Sequence, residues 1–453
     1  MELDVLRQSE RNDSTEVGSY FVANYPPFSV WSAEHVPAYA KALATPSRQG
    51  DSGSTPTNAS ATPLGLYLHI PFCRRRCHFC YFRVYTDKNS SDVDDYLTAL
   101  GHETAAYARQ PALEGREFDF VYFGGGTPSF LSSEQLVRLV NRIREHWNWD
   151  HAREVTFECE PGTLKKGKLE TIRDIGVTRL SLGVEHFDDD ILAAGNRAHK
   201  SRDIFQAYEW AREVGFPQIN IDLIAGMVGE TDEKWASAVE RALALDPDNI
   251  TIYQMEVPHN TTVARDAKAT GVATPVASWA KKREWVDRAF RRFESAGYAV
   301  SSAYTLVKKS NKQGFVYRDA LWRGADLIGM GVASFGHLSG VHYQNADKWE
   351  SYVEPLSRGV LPVARALPVA RRQLLLREMI LQLKLGRIEP RYFHDKFETD
   401  ILKEFRGGFD ALVADGFAST NDCAVTLTRE GLLRVDSLLP RFYEPMFRSA
   451  RYT

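Results

Sequence analysis

Cysteine is scarce in this chain, with five among 453 residues, and this scarcity excludes a disulfide-bonded scaffold. Three of the five, Cys73, Cys77 and Cys80, nevertheless lie in one short segment, CRRRCHFC. An odd number of close neighbours on one loop pairs poorly as disulfides, which leaves metal binding, catalysis or chance. The N-terminus is polar and has no apolar signal segment, so together with the few cysteines it predicts a cytoplasmic, reducing location.

Long apolar runs and a strong net charge are also missing. No apolar run approaches the roughly 20 residues that a membrane span needs, so no membrane span is predicted. The formal net charge is −3, which provides no basic field for nucleic acid or an anionic membrane. Hydrophobic residues make up 43% and charged residues 25%, as in ordinary globular proteins with a large core.

Composition divides the chain into four predicted segments. Residues 45–62 are rich in Ser, Thr, Gly, Pro and Asn, which predicts a flexible linker. Residues 1–44 form an N-terminal arm, whose aromatic side chains either shield an active site or simply pack on the core. Residues 63–345 contain a regular strand and helix pattern, and residues 346–453 predict a C-terminal helical, winged-helix-like domain.

The regular pattern predicts an α/β fold. Each predicted strand is a nearly continuous apolar run, as a sheet covered on both faces requires. Helical segments separate the strands, so the sheet is expected to be parallel with right-handed crossovers. Six such units predict an incomplete (β/α)6 barrel, with its chemistry at the C-terminal ends of the strands. The strands are predicted at 64–72, 118–126, 154–161, 177–187, 218–227 and 249–258.

The C-x3-C-x2-C spacing lets three thiolates meet one face of a metal cluster. A structural zinc site normally takes four nitrogen or sulfur ligands, and His78 is awkwardly placed between two cysteines to complete one. Three cysteines on a four-iron cluster leave one iron open to another ligand. The spacing favours an iron–sulfur cluster, with zinc and chance as the alternatives.

Polar residues follow the predicted strands at the end where a barrel of this kind carries its chemistry. The glycines of FGGGTP allow a ligand to approach the backbone closely. Acidic side chains at the ends of apolar strands are costly to bury, so they either bind a ligand or form ion pairs along the rim. Carboxylates suit ribose hydroxyls and ammonium groups, and an arginine suits a carboxylate. The charged residues in question are Glu158, Glu160, Glu185, Asp222 and Arg197.

The segments YLHIPFCRRRCHFC, YFGGGTP, TFECEP, RLSLGVE and GNR together resemble the radical S-adenosylmethionine (SAM) superfamily. Within it they resemble the oxygen-independent coproporphyrinogen III oxidase-like family, whose relatives include heme chaperones and radical methyltransferases. The resemblance implies a [4Fe–4S] cluster on Cys73, Cys77 and Cys80, with SAM on the fourth iron. One-electron reduction then cleaves SAM to a 5′-deoxyadenosyl radical, which abstracts a substrate hydrogen.

The resemblance also implies further ligands and partners. The substrate is a tetrapyrrole or another bulky organic molecule, and the electron donor is a protein such as flavodoxin or ferredoxin. The cluster-bound SAM is expected to contact Tyr67, Gly125, Glu158 and Phe335. A second SAM is expected to contact Phe79, Gly126, Thr127, Arg197 and Asp222, with Glu185 and Glu256 at positions that the family also uses. His69 and Tyr253 are either neighbours of these SAM sites or packing residues, and packing is the expectation for both.

The chain departs from the family's named activities at three places. The oxidases carry a further cysteine two residues after the third cluster ligand, where this chain reads Tyr81-Phe82. Glu185 replaces a glutamine expected in the second SAM site. The heme chaperones show His-Asn followed by Tyr-Trp, whereas this chain reads YRDALWRG at 317–324.

Three hypotheses follow from these departures. The leading one is an oxidase-like enzyme that abstracts hydrogen and decarboxylates its substrate oxidatively. The second is a radical methyltransferase or cyclopropanase that uses a second SAM, which the missing cysteine favours. The third is a heme-binding chaperone, which the missing His-Asn disfavours.

Overall fold

The computed structural model describes residues 21–46, 62–258, 261–270, 276–311 and 313–448. The predicted linker lies almost entirely outside these residues, as does the first part of the predicted arm. The strands are β1 (Leu64–Ile70), β2 (Phe120–Gly125), β3 (Glu154–Cys159), β4 (Arg179–Glu185), β5 (Gln218–Ala225), β6 (Asn249–Gln254), β7 (Tyr298–Val300), β8 (Thr305–Lys308), β9 (Asp326–Met330), β10 (Phe335–Leu338), β11 (Val341–Asn345), β12 (Val363–Pro368), β13 (Arg387–Ile388), β14 (Ala418–Asn421) and β15 (Ala424–Leu427).

The α-helices of the described residues alternate with the strands in the first two-thirds of the chain and predominate after it. They are α1 (Val36–Ala44), α2 (Ser90–Ala108), α3 (Ser133–Arg144), α4 (Lys166–Asp174), α5 (Asp189–Ala194), α6 (Ser201–Val214), α7 (Asp232–Leu245), α8 (Thr262–Thr270), α9 (Trp279–Ser295), α10 (Val316–Trp322), α11 (Trp349–Ser357), α12 (Arg371–Leu383), α13 (Pro390–Phe397), α14 (Ile401–Glu404), α15 (Arg406–Ala414), α16 (Arg429–Leu433) and α17 (Val435–Leu438).

A 12-stranded sheet in the order β12-β11-β10-β9-β1-β2-β3-β4-β5-β6-β8-β7 forms the centre of the fold. Strands β1 to β6 are parallel, which confirms the predicted α/β fold with a parallel sheet. Strand β9 adds a seventh parallel strand beside β1, which the sequence analysis did not predict. Antiparallel strands continue the sheet at both of its edges.

The local sequence explains why the helices form where they do. Helix α3 begins after Ser132, whose hydroxyl accepts a hydrogen bond from the Gln135 N–H while the Gln135 side chain accepts one from the Ser132 N–H. This capping box satisfies two of the free backbone donors at the helix start. The apolar stripe of the same helix, which faces the sheet, is buried at Leu136, Leu139, Val140 and Ile143.

The C-terminal part combines helices with a 3-stranded sheet of order β13-β15-β14. Its apolar side chains form a second core beside the core of the large sheet. Strand β12 pairs with β11, so the large sheet continues to Pro368, past the predicted domain boundary at residue 345. None of the helices in the described ranges has the length and apolarity to span a membrane.

The described part of the N-terminal arm packs between the large sheet and the C-terminal part. Val22 and Tyr25 are buried in the second core. Trp31 is also buried and stacks on His342 of β11, with ring centroids 4.9 Å apart. Phe21, at the start of the described arm, lines the cavity at the mouth of the parallel strands. The arm therefore both packs on the core and reaches the cavity.

Candidate functional site

A cavity of about 390 Å³ lies at the C-terminal ends of the parallel strands. Loops and strand ends from β1 to β6 supply its lining, because parallel strands bring all their C-terminal ends to one edge. Most of the predicted site residues line it: Cys73, Cys77, Cys80, Phe79, Gly125, Gly126, Thr127, Glu158, Glu185, Arg197, Asp222 and Glu256.

The three cysteines occupy the loop that follows β1. The Cys73 N–H donates to the Tyr85 carbonyl at 3.0 Å, and the Cys80 N–H donates to the Cys77 carbonyl at 3.1 Å. The Thr127 hydroxyl lies 3.3 Å from Cys73 Sγ, and Arg197 Nη1 lies 3.1 Å from Cys77 Sγ. These donors suit sulfurs that carry negative charge.

Burial raises the pKa of the Cys73 thiol to about 12 and that of Cys80 to about 11. Thiols with such pKa values stay protonated at neutral pH unless a cation replaces the proton. Metal binding to this loop is therefore expected to release protons.

Glu158, at the end of β3, is held by two donors from β2. The Tyr122 hydroxyl donates to Glu158 Oε1 at 2.7 Å, and the Gly125 N–H donates to Oε2 at 3.2 Å. Burial nevertheless raises the pKa of Glu158 to about 7. The carboxyl can thus change its charge near neutral pH when a ligand enters.

Glu185 ends β4 at a β-bulge and has a φ of 63°, in the left-handed region that a glutamate rarely adopts. Its Oε1 lies 3.6 Å from Arg197 Nη2. Burial raises the pKa of Glu185 to about 7, although Arg197 opposes the shift. Backbone strain of this kind persists only where the surrounding structure holds it in place, and such residues cluster at functional sites.

Asp222 and Glu256 complete the acidic side of the cavity. Asp222 accepts hydrogen bonds from the Ser181 hydroxyl at 3.0 Å and from Asn220 Nδ2 at 2.9 Å, and burial raises its pKa. Glu256 Oε1 accepts a hydrogen bond from the Phe21 N–H at 2.6 Å, and burial raises the pKa of Glu256 to about 7. The arm thus contacts the site directly.

Glu160 differs from the other acidic residues of the rim. Burial alone acts to raise its pKa, but His199, Arg74 and Arg197 outweigh that effect and hold the pKa of Glu160 at about 2. Glu160 therefore forms ion pairs along the rim, which is the second of the two roles predicted for the acidic residues at the strand ends.

Two of the predicted SAM contacts do not line the cavity. Tyr67 is packed against Tyr122, with ring centroids 5.8 Å apart, on the neighbouring strand. Phe335 is 40% exposed and contacts Trp31 of the arm, with ring centroids 5.6 Å apart. Their roles stay predictions. Tyr253, expected to pack, is 41% exposed and lines the cavity.

Tyr122 and Ser181 were not predicted from the sequence, although they donate hydrogen bonds to Glu158 and Asp222 and also line the cavity. Strand alternation could have identified both. Tyr122 stands two residues before Gly124, and Ser181 two before Gly183, so each side chain shares a face with a glycine near the strand end.

The donor set fits a thiolate-bound cluster and a polar cofactor. Three thiols share one cavity, and two of them have a hydrogen-bond donor at the sulfur. Among the described residues, the buried atoms Arg197 Nε and Glu256 Oε2 have no hydrogen-bond partner, so a polar ligand in the cavity could satisfy them. Within the same residues, no group of three His, Cys, Asp or Glu side chains is arranged to hold a single metal ion.

Comparison with protein families shows a match to the Radical SAM superfamily over residues 67–242. Among individual proteins, heme chaperone HemW of Mycobacterium tuberculosis is 30% identical over 382 residues, which cover 83% of this chain and 94% of the relative. Oxygen-independent coproporphyrinogen III oxidase of Escherichia coli is 26% identical over 409 residues, which cover 86% of this chain and 87% of the relative.

The fold has a counterpart among solved structures. The structure of coproporphyrinogen III oxidase (HemN) from Escherichia coli superposes with a TM-score of 0.80, at 24% identity. The superposition covers 93% of this chain and 96% of that chain, so the similarity extends over the large sheet and the C-terminal part alike.

Proposed function

The chain belongs to the radical SAM superfamily, in the family that contains oxygen-independent coproporphyrinogen III oxidase and HemW, and we propose that it is a radical SAM enzyme. In this proposal Cys73, Cys77 and Cys80 hold a [4Fe–4S] cluster, and SAM binds beside it. When bound, the cluster would supply the one electron that splits SAM into methionine and a 5′-deoxyadenosyl radical, and this radical would abstract hydrogen from a tetrapyrrole-like or other bulky substrate.

One observation carries this proposal: the three thiols of the cysteine loop, five carboxyl groups and Arg197 line a single cavity at the mouth of the parallel strands. The chain's own residues then have distinct tasks. Glu158 and Asp222 accept hydrogen bonds from ribose hydroxyls or an ammonium group, and Arg197 pairs with a carboxylate. Phe79, Tyr253 and the arm residue Phe21 help to exclude water from the reacting atoms.

The products of SAM turnover test the proposal. Anaerobically reconstituted, reduced protein with a candidate tetrapyrrole is expected to release 5′-deoxyadenosine and not S-adenosylhomocysteine. S-adenosylhomocysteine alongside 5′-deoxyadenosine would instead indicate the methyltransferase alternative. Protein that holds the cluster yet yields neither product would contradict the enzyme proposal.

A heme-binding chaperone is the second candidate, because relatives named heme chaperone HemW reach 30% identity over nearly their whole length. The segment 317–324, which lacks the His-Asn pair, lies in and after helix α10, where Arg318 is buried. Tight heme binding without SAM cleavage would favour this candidate, and spectral titration with heme measures it.

The proposed reaction requires a one-electron donor, and we propose an acidic protein such as a flavodoxin or ferredoxin. Arg75 and Arg83 are exposed on and beside the cysteine loop, and Phe82 is 50% exposed between them. Exposed cations steer an acidic partner towards the loop. Reduction by such a donor is therefore expected to slow with added salt, while reduction by dithionite changes less.

A further inference from the structure

The segment 194–199, which begins at the last residue of helix α5, lies against the cysteine loop. The Gly195 carbonyl accepts a hydrogen bond from the His78 N–H at 3.1 Å, and His78 Nδ1 lies 3.0 Å from the Ala194 carbonyl. Asn196 Nδ2 donates to the Arg76 carbonyl at 2.8 Å. Two residues between the cysteines are thus held by the segment that also carries Arg197.

Glu160 joins the same two parts of the chain from the end of β3. Its Oε2 accepts hydrogen bonds from Arg74 Nη2 at 2.6 Å and from Arg74 Nε at 3.2 Å. Its Oε1 lies 3.0 Å from His199 Nδ1 and accepts a hydrogen bond from the Gly162 N–H at 3.0 Å. Arg74 follows Cys73 directly, and His199 stands two residues after Arg197.

The surroundings of Glu160 favour a fixed geometry. The residue is 8% exposed, and its backbone N–H donates to the Ser129 hydroxyl at 3.0 Å. His199 is 2% exposed, and its Nε2 lies 3.3 Å from the Val184 carbonyl of β4. The Arg74 side chain is 39% exposed, but the Glu160 side chain is only 9% exposed and both of its oxygens have partners, so water screens this contact less than it screens an ion pair between two surface side chains.

We propose that Glu160 is a positioning residue that fixes the cysteine loop, through Arg74, to the segment of Arg197, through His199, before any cluster binds. This connection holds the loop of Cys73 and Cys77 in the form that receives the metal, and it keeps Arg197 at the Cys77 sulfur. Without this connection the loop that carries the three thiols would be mobile. Cluster binding would then have to offset the conformational entropy that the loop loses when it becomes ordered.

Limited trypsin digestion of the metal-free protein tests this proposal, because Arg74, Arg75 and Arg76 place three cleavage sites inside the loop. Glu160→Gln is expected to speed cleavage within 74–76 by about tenfold or more, as expected when a charge-assisted hydrogen bond no longer opposes local opening. The matched control is Glu170→Gln on the exposed side of α4, which should leave the cleavage rate unchanged.

Arg74→Gln removes the same ion pair from its other end and guards against a folding defect of Glu160→Gln. Each single variant is expected to speed cleavage at Arg75 and Arg76, and the double variant should add little, because both remove one connection. Additive effects, or cleavage at the wild-type rate in Arg74→Gln, would overturn the proposal.

A second readout follows iron rather than proteolysis and rests on the proposed function. Reconstituted Glu160→Gln should lose iron to a chelator about tenfold faster than wild type, whereas Arg74→Lys, which keeps the charge but not the two-nitrogen contact, should fall between them. If Glu160→Gln is cleaved faster than wild type but neither protein binds iron, the proposed function is contradicted and the positioning role stands. Unchanged proteolysis and unchanged iron loss would leave Glu160 as an ordinary rim ion pair.

Discussion

At the level of single residues, burial opposes the ionisation of four carboxyl groups around the cavity, those of Glu158, Glu185, Asp222 and Glu256. Burial raises the pKa values of Glu158, Glu185 and Glu256 to about 7 each. A carboxyl group whose pKa is higher in the folded than in the unfolded protein contributes to stability below its unfolded pKa. This contribution is lost as the pH rises through its folded pKa. The metal-free protein is therefore expected to lose stability as pH rises from about 4.5 through about 7.

Glu185→Gln tests this effect and restores the glutamine that the family resemblance leads one to expect. At pH 8 the variant should raise the free energy of unfolding of the metal-free protein by on the order of 1–3 kcal/mol, because no buried charge remains. At pH 4.5 most of the gain should vanish. Urea unfolding at both pH values measures it, with exposed Glu114→Gln as the control. A variant less stable than wild type at pH 8 would show that the Arg197 ion pair outweighs burial.

At the level of structural elements, the glycine turn after β2 is packed against the chain that leads into the cysteine loop. The Gly126 N–H donates to the Ile70 carbonyl at 2.8 Å. A Cβ atom at Gly126 would lie 2.8 Å from the Pro71 carbonyl carbon and 3.0 Å from the Phe72 oxygen, both backbone atoms that cannot rotate away. The turn and the loop must therefore move together.

Gly126→Ala is expected to displace the cysteine loop. It should cost about 1–3 kcal/mol of stability, as overpacking does, and weaken SAM binding by about tenfold or more. Gly167→Ala in α4 is the control, since outside the helix's own backbone the nearest atom to its Cβ would be Glu170 Oε2, at 3.9 Å. Isothermal titration of SAM into reconstituted protein compares them, and equal affinity in both variants would contradict a tight turn.

The arm is the second element whose packing can be tested. Trp31 is 4% exposed, stacks on His342 and donates from Nε1 to the Pro26 carbonyl at 3.3 Å. Trp31→Ala should therefore destabilise the protein by about 3–5 kcal/mol, whereas Met446→Ala, 73% exposed, should change stability by less than about 0.5 kcal/mol. Urea denaturation measures both. A small effect of Trp31→Ala would show that the arm is only loosely attached.

At the level of the whole molecule, the features that could be predicted from the sequence are those that depend on a local pattern of apolar and polar residues. Buried parallel strands are continuous apolar runs, so the strands at 64–72 and 218–227 were placed within two residues of β1 and β5. Strand β9 was missed because pairing with β1 joins residues far apart in sequence. The same holds for the contact between Phe21 and Glu256, which are separated by 235 residues.

The candidate site shows the same division. Residue type and strand position indicated the cysteines and the carboxyl groups, and the cavity brings them together. Nothing in the local sequence pairs Arg74 with Glu160 or Glu160 with His199, because three separate loops meet there. Phe335 was expected at SAM by resemblance, but its ring packs on the arm, whose path the sequence does not specify.

The metal content of the cysteine loop tests the account most directly. Protein reconstituted without oxygen should contain about four irons and four sulfides per chain, with the brown charge-transfer absorption of a thiolate-bound cluster. Cys77→Ala should lose the iron, the colour and SAM cleavage together, while Cys423→Ala, at an exposed cysteine outside the loop, should keep all three. Zinc in place of iron, or SAM cleavage retained by Cys77→Ala, would contradict the account.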